Sequence, residues 1–245
     1  MQRFHDYLWE SKCPDFTLKS SFIISPKILL AYRILALIAS MAILVICTGG
    51  NISAMRYLTN WGVLFVACYF LCVCLCHFIY KNEEKVSLSN HFAFWKFTHF
   101  MCELGFALEV LIPLYYWVLL YPATTHHHIG DMFLKTILAH LVIPALIHIE
   151  VIFNKIKFYK RHPVIILAIG VMYAILNFTY TKITGKNIYA NLTWNDEKTV
   201  FLLIGCVVTV CVGFYSMVWL SAFKFRKERS LSTSSALSLD MNIMM

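Results

Sequence analysis

Two polar side chains inside strongly apolar stretches, Thr59 and His140, are of the types needed for covalent acyl transfer. A threonine hydroxyl becomes a nucleophile when a base takes its proton, and a histidine has a suitable pKa for that task. Each residue lies toward the same membrane leaflet in its predicted helix. The pair therefore indicates an ester hydrolase in which Thr59 attacks a carbonyl and His140 acts as base and then as acid.

Each of these residues also has a structural interpretation. Thr59 could cap a helix or bond back to its own helix, and both arrangements are common for threonine. His140 could form a hydrogen bond between two helices of a bundle. Residue types taken alone favour these structural roles, because an isolated polar residue specifies little chemistry.

The elements that must position the two residues are six apolar stretches, each long enough to cross a bilayer. About 20 apolar residues cover a ~30 Å hydrocarbon core. The chain is 60% hydrophobic and 14% charged, whereas soluble domains carry ~25% charged residues. The sequence predicts an all-α polytopic membrane protein, a bundle of six transmembrane helices with the spans Ile28–Thr48, Tyr57–Tyr80, Phe100–Tyr121, Met132–Phe153, Pro163–Lys182 and Val200–Phe223.

The net charge of +8 is explained by membrane topology and does not indicate a nucleic-acid partner. Fifteen of the 21 Lys and Arg residues flank the spans on one side of the predicted bundle, and five lie on the other. The positive-inside rule then puts both termini in the cytoplasm. Residues 1–27 form a cytoplasmic lead-in, residues 28–223 the membrane domain and residues 224–245 a basic, Ser-rich tail. The endomembrane system or plasma membrane is favoured, with the mitochondrial inner membrane left open.

The further ionisable residues inside the predicted spans include Arg33 in the first span and the candidate buried polar residues Glu103, Glu109, His148 and Glu150. An acidic residue at mid-bilayer, such as Glu109, costs about 2.5–3.5 kcal/mol and must face the bundle interior. We expect His148 to pair with Glu103 or Glu109, in either a structural or a functional role. Trp95 precedes the third span, and we expect it at the level of the lipid head groups.

A pattern of small residues in the sixth predicted span indicates contacts with other membrane subunits. Gly205, Thr209 and Gly213 form a stripe of small residues at four-residue spacing, which lets another helix approach closely. No cofactor or metal is predicted. A metal or haem site could use the His126–His128 run with Asp131, or His140 with His148, but three consecutive histidines point in different directions and rarely converge on one ion.

Several short motifs resemble those of the androgen-induced protein family, which includes the androgen-dependent TFPI-regulating protein and has the rolling-stone proteins as relatives. In order along the chain, the matching residues are Arg56–Trp61, Tyr115–Trp117, His140 with Pro144 and Glu150, and Gly185–Tyr189 with Trp194. The resemblance covers roughly residues 55 to 223. It implies a six-helix membrane protein with both ends in the cytoplasm.

The same resemblance implies chemistry. Two members of the family are threonine hydrolases that cleave esters between fatty acids and hydroxy fatty acids. Their nucleophile corresponds to Thr59 and their histidine to His140. Arg56, Asn60 and Tyr189 are the candidate substrate-binding residues, and membrane lipids are the expected partners. The alternative is a non-catalytic membrane protein, either an accessory subunit of a larger complex or a lipid-binding adhesion or fusion factor.

Overall fold

The computed structural model describes the backbone of residues 21–79, 92–122 and 131–243, and the side chains of 21–79, 94–122 and 132–226. Within these ranges the chain is helical apart from short turns and one isolated bridge between Ser21 and Asn154. The helices are α1 (Pro26–Thr48), α2 (Leu58–Ile79), α3 (Phe92–Tyr115), α4 (Asp131–Ile137), α5 (Ile143–Phe153), α6 (Pro163–Thr184) and α7 (Glu197–Ile243).

Three short helical turns complete the backbone. A 3₁₀ turn (Ile52–Arg56) precedes α2, and a first π turn (Tyr116–Leu120) continues α3. A second π turn (Leu138–Val142) joins α4 to α5, so that these three elements make one continuous rod. Wider π turns of this kind occur mostly as single insertions in α-helices, frequently at functional sites.

In the part of the chain that the structure describes, six helices are long and apolar enough to cross a membrane, which confirms the predicted all-α class and number of spans. Their bounds are Pro26–Thr48, Leu58–Ile79, Phe94–Leu120, Met132–Phe153, Pro163–Thr184 and Glu197–Arg226. Helix α7 continues beyond the sixth of these, through the segment predicted as a Ser-rich tail, to Ile243.

The third span begins six residues earlier than predicted, and this corrects the position expected for Trp95. Its side chain is only 1% exposed, so it is part of the core rather than an anchor among lipid head groups. The ring packs beside His99, with centroids 5.5 Å apart. One turn along the same face, Thr98 approaches Cys76 of α2. The first turns of α3 are therefore held by the bundle.

Helices α2 and α3 form the centre of the bundle and run antiparallel. Three pairs show their register: Cys76 with Thr98, Val66 with Gly105, and Gly62 with Glu109. About half of each central span is buried (56% and 50%), against 22% and 11% for the fifth and sixth spans. The fourth span is 44% buried, so the most enclosed part of the bundle lies around α2 and α3 and the side of the fourth span that packs on them. We call the two ends of the bundle the Thr59 end, where α2 begins, and the Glu103 end, where α3 begins.

A buried ion pair joins α1 to α5. Arg33 is fully buried, and its Nη2 and Nε atoms lie 2.5 Å and 3.0 Å from Glu150 Oε1. The same oxygen accepts hydrogen bonds from Tyr69 of α2 (2.7 Å) and from Asn154 (3.2 Å). Arg33 Nη1 also lies 2.9 Å from the His77 ring. Because both charges are paired and further bonded, three helices are held in one arrangement.

We expect Arg33→Met to destabilise the protein by about 3–5 kcal/mol, because it leaves the Glu150 carboxylate buried without its cation. The double variant Arg33→Met/Glu150→Gln should lose less stability than the two single variants together. The measurement is thermal unfolding of the purified chain in detergent. Arg226→Met, at an exposed position, is the control. Equal and small effects of Arg33→Met and Arg226→Met would contradict this role of the pair.

Candidate active site

The start of α2 is fixed by hydroxyl groups that come from two other segments of the chain. The Leu58 N–H donates to Tyr173 Oη of α6 (3.1 Å) and to Tyr189 Oη in the loop after α6 (2.9 Å). Tyr173 Oη in turn donates to the Arg56 carbonyl (2.8 Å). The first N–H groups of a helix have no partner within it, so external acceptors stabilise them. These bonds hold the turn that presents Thr59.

The two residues that follow Thr59 also bond back to the preceding turn. Asn60 Nδ2 donates to the Ala54 carbonyl (2.7 Å), and Trp61 Nε1 donates to the Met55 carbonyl (2.5 Å). Asn60 is only 6% exposed. Its amide nitrogen thus helps to shape the turn before α2, and the expected role of Asn60 in substrate binding stays a prediction.

Thr59 lies in the first turn of α2 and is partly buried. The helix begins at Leu58, so Thr59 follows the cap position instead of occupying it. Its side chain lies close to the hydroxyl of Tyr189. Desolvation raises the pKa of Tyr189 well above its usual value, so this phenol stays protonated at neutral pH. The structure thus brings together two of the predicted site residues.

Arg56 lies beside this turn and carries a permanent positive charge. Its Nη1 donates to Tyr180 Oη (3.0 Å) and its Nη2 to Tyr57 Oη (3.2 Å). The guanidinium also lies over the rings of both tyrosines. The hydrogen bond and charge interaction with Tyr57 raise the pKa of Arg56. A guanidinium has five N–H donors, and two are used here, so others can bind an anionic group.

His140 lies in the second π turn and is 8% exposed. Its ring stacks on Tyr116 in the first π turn, with centroids 3.8 Å apart and planes 7° from parallel. Its backbone carbonyl accepts a hydrogen bond from Trp117 Nε1 (3.1 Å). Among the residues that the structure describes, His140 Nδ1 has no hydrogen-bond partner. Stacking on Tyr116 therefore holds the ring. The structural role considered for His140, a side-chain hydrogen bond to another helix, is not seen among the described residues.

The register of α2 and α3 gives Thr59 and His140 similar depths in the bundle. Gly62 faces Glu109 and Ile112, and Thr59 is one turn nearer the Thr59 end than Gly62. In the antiparallel α3, Tyr116 lies one turn beyond Ile112, toward that same end. The second π turn packs against both α2 and α3. The stack of His140 on Tyr116 therefore lies within about one helical turn of the level of Thr59.

Below this level, Glu109 occupies the centre of the bundle. Its side chain is fully buried, and neither carboxylate oxygen has a hydrogen-bond partner within the described ranges. The position opposite is Gly62, where a β-carbon would overlap Glu109 Oε1 and come within 2.6 Å of Ile112 Cδ1. Gly62 thus provides the space that this carboxyl group fills.

The predicted pairing of His148 with a glutamate is wrong. His148 Nδ1 lies 2.7 Å from the Pro144 carbonyl of its own helix, and its ring packs against Phe106. Glu103 instead contacts His99 and His162 at the opposite end of the bundle. The other predicted buried acid, Glu150, binds Arg33 as described above.

The small-residue stripe of α7 is divided between two environments. A β-carbon at Gly213 would lie 2.8 Å from Val110 Cγ1, so this glycine lets α7 approach α3 within the chain. Gly205 is exposed and has nothing within 4 Å of that position, and Thr209 is partly buried. The stripe is therefore only partly available to another subunit.

Two residues that build the site, Tyr173 and Gly62, were not among the candidates predicted from the sequence. A tyrosine in the middle of an apolar span has to find a partner for its hydroxyl, and that rule indicates Tyr173. Gly62 had no comparable signal. The alternative metal site at His126–His128 lies outside the described residues, as does the Asp131 side chain.

Comparison with family models, curated proteins and solved structures finds no match to this chain.

We expect Gly62→Ala to destabilise the protein by about 1–3 kcal/mol, because the added methyl group overlaps Glu109 Oε1 and Ile112 Cδ1, so these side chains must shift within the buried core. Gly205→Ala, where the methyl group meets nothing, should be neutral or slightly stabilising, since alanine is the better helix former. Thermal unfolding in detergent measures both. Adding Glu109→Ala to Gly62→Ala should recover stability. A Gly62→Ala variant as stable as the wild type would refute the overlap.

Proposed function

We propose that this chain is an integral membrane lipid-ester hydrolase with Thr59 as nucleophile and His140 as general base. The observation that carries the proposal is the similar depth of Thr59 and the His140–Tyr116 stack in the bundle, within about one helical turn. The resemblance of the motifs around both residues to the androgen-induced protein family supports it independently. The substrate class that this resemblance suggests is fatty acid esters of hydroxy fatty acids.

In the proposed reaction, His140 takes the proton of the Thr59 hydroxyl as the oxygen attacks the ester carbonyl carbon. The tetrahedral intermediate collapses, and the hydroxy fatty acid leaves with the proton from His140. The acyl group then remains on Thr59. A water molecule gives a proton to His140 and attacks the acyl carbonyl; the second intermediate then collapses, the fatty acid leaves, and His140 returns the proton to the Thr59 oxygen.

Two neighbouring residues suit the substrate. Tyr189 stays protonated next to Thr59, so its hydroxyl can donate to the oxyanion of the intermediate. Arg56, in the turn before α2, keeps further N–H donors, and a hydroxy fatty acid ester carries a free carboxylate at one end. A charge-assisted bond between them would hold the ester carbonyl near Thr59 while the acyl chains lie among the apolar helices.

The distribution of basic residues completes the proposal. Both termini lie in the cytoplasm, so the Thr59 end faces the lumen or the cell exterior. The membrane is part of the endomembrane system or the plasma membrane, and its lipids are both partner and substrate source.

A non-catalytic role is the second candidate, and one observation favours it. The sixth span is only 11% buried within the chain, and Gly205 on it is exposed. A second membrane subunit could cover this side of α7. In that case Thr59 would serve only to hold Tyr189 and the loop after α6.

Thr59→Ala and His140→Ala should each lower ester hydrolysis by 10²-fold or more, because one removes the nucleophile and the other its base. The measurement is release of fatty acid from a fatty acid ester of a hydroxy fatty acid by the purified chain. Thr184→Ala and His148→Ala are matched controls, since the polar atoms of both side chains bond carbonyl groups of their own helices. Full activity of either test variant would disprove this mechanism.

Arg56→Gln should raise KM about 10-fold for substrates with a free carboxylate, with little change in kcat, because it removes a charge-assisted bond outside the reacting centre. The methyl esters of the same substrates lack that charge and should show no such rise. Steady-state kinetics on both series provides the comparison. An equal rise in KM for the free acids and for their methyl esters would show that Arg56 does not bind the carboxylate.

A further inference from the structure

A second polar group lies at the Glu103 end of the bundle, where two histidines meet one glutamate. His99 Nε2 is 3.3 Å from Glu103 Oε1, and His162 Nδ1 contacts Glu103 Oε2 at short range. The three side chains are at most 1% exposed. Each residue offers one possible ligand atom, and these three atoms all lie within 4.8 Å of one another. The hydrolase site does not use any of them.

This spacing suits a transition-metal ion. Metal–nitrogen and metal–oxygen bonds of about 2.0–2.2 Å at tetrahedral angles keep ligand atoms roughly 3.3 Å apart. The His99–Glu103 separation already has that value. Two imidazoles and one carboxylate are also a common set of protein ligands for zinc, with a further position left for water or another group.

The ligands are held by elements that do not depend on an ion. His99 and Glu103 are four residues apart in α3, so they share one face of the helix. His162 is fixed by its position directly before Pro163, which starts α6. The Tyr159 N–H donates to Glu103 Oε1 (3.1 Å), and the Tyr159 ring packs against both imidazoles. A preformed arrangement of this kind lowers the ordering cost of binding.

We propose that His99, Glu103 and His162 bind a divalent transition-metal ion of the zinc type at the Glu103 end. The imidazole nitrogens that now face the carboxylate would present their lone pairs to the ion, and their protons would lie on the opposite ring nitrogens. The carboxylate supplies negative charge, which a site lined by aromatic rings otherwise lacks. The ion would tie the start of α3 to the start of α6, where the His99 and His162 rings already meet edge to face.

The test is metal binding by the purified full-length chain in detergent, prepared without a polyhistidine tag. After treatment with a chelator, the protein is titrated with Zn²⁺, and with Co²⁺ as a spectroscopic probe. We expect about one equivalent bound, with the visible absorption of low-symmetry Co²⁺. His162→Ala and Glu103→Gln should each weaken binding 10-fold or more. His148→Ala, a histidine outside the cluster, should bind as the wild type does.

A second set of variants removes the histidine run at 126–128, which could bind metal by itself. Replacing these three residues with alanine should leave the single bound metal ion in place. Chelation should lower the melting temperature of the wild type and leave that of Glu103→Gln unchanged. The proposal is overturned if the wild type binds no Zn²⁺, or if binding survives in His162→Ala and disappears when the run at 126–128 is replaced.

Discussion

A charged side chain inside an apolar bundle has to find an opposite charge, because no water is present to solvate it. Arg33 of α1 meets this constraint through Glu150 at the end of α5, and Tyr69 of α2 bonds the same carboxylate. That contact sets the rotation of α5 against the two helices. The second π turn joins directly to α5, so the same contact helps decide which way His140 faces.

The α2–α3 interface then determines what the rest of the bundle can do. Gly105 admits Val66 closely, and Gly62 makes room for Glu109, so the two helices lie in close contact and in one register. This register puts Thr59 at the level of Tyr116, on which His140 stacks. It also keeps Glu103 about one and a half turns from Glu109, toward the other end. The candidate hydrolase residues and the Glu103 group therefore lie toward opposite ends of the bundle.

The sequence predicted the spans well, because long apolar runs report directly on the membrane. The start of α3 was missed because Trp95, Thr98 and His99 lower the apolarity of its first turns, and their burial depends on neighbours far along the chain. The same limit applies to Arg33 and Glu150, which are 117 positions apart. Arg33 was visible inside a predicted span, and the cost of burying it indicates a buried acid without naming which one.

The candidate site was predictable in part. Thr59, His140 and Tyr189 lie in sequence motifs that can be recognised. The hydrogen bond of Asn60, in contrast, depends on where the Ala54 carbonyl lies in the folded chain. The pairing of His148 failed because its ring nitrogen bonds its own helix, a choice that helix periodicity does not reveal. The His99–Glu103 spacing was visible as an i, i+4 pair, but the third member, His162, comes from a different part of the chain.

The most direct measurement is the mass of the peptide that carries Thr59 after the wild-type protein is quenched in acid during turnover of a fatty acyl ester. The account predicts an increase equal to one acyl group, located on the Thr59 oxygen. Steady hydrolysis with an acyl group on another residue, or with no covalent adduct at any residue, would contradict a threonine nucleophile at this end of the bundle.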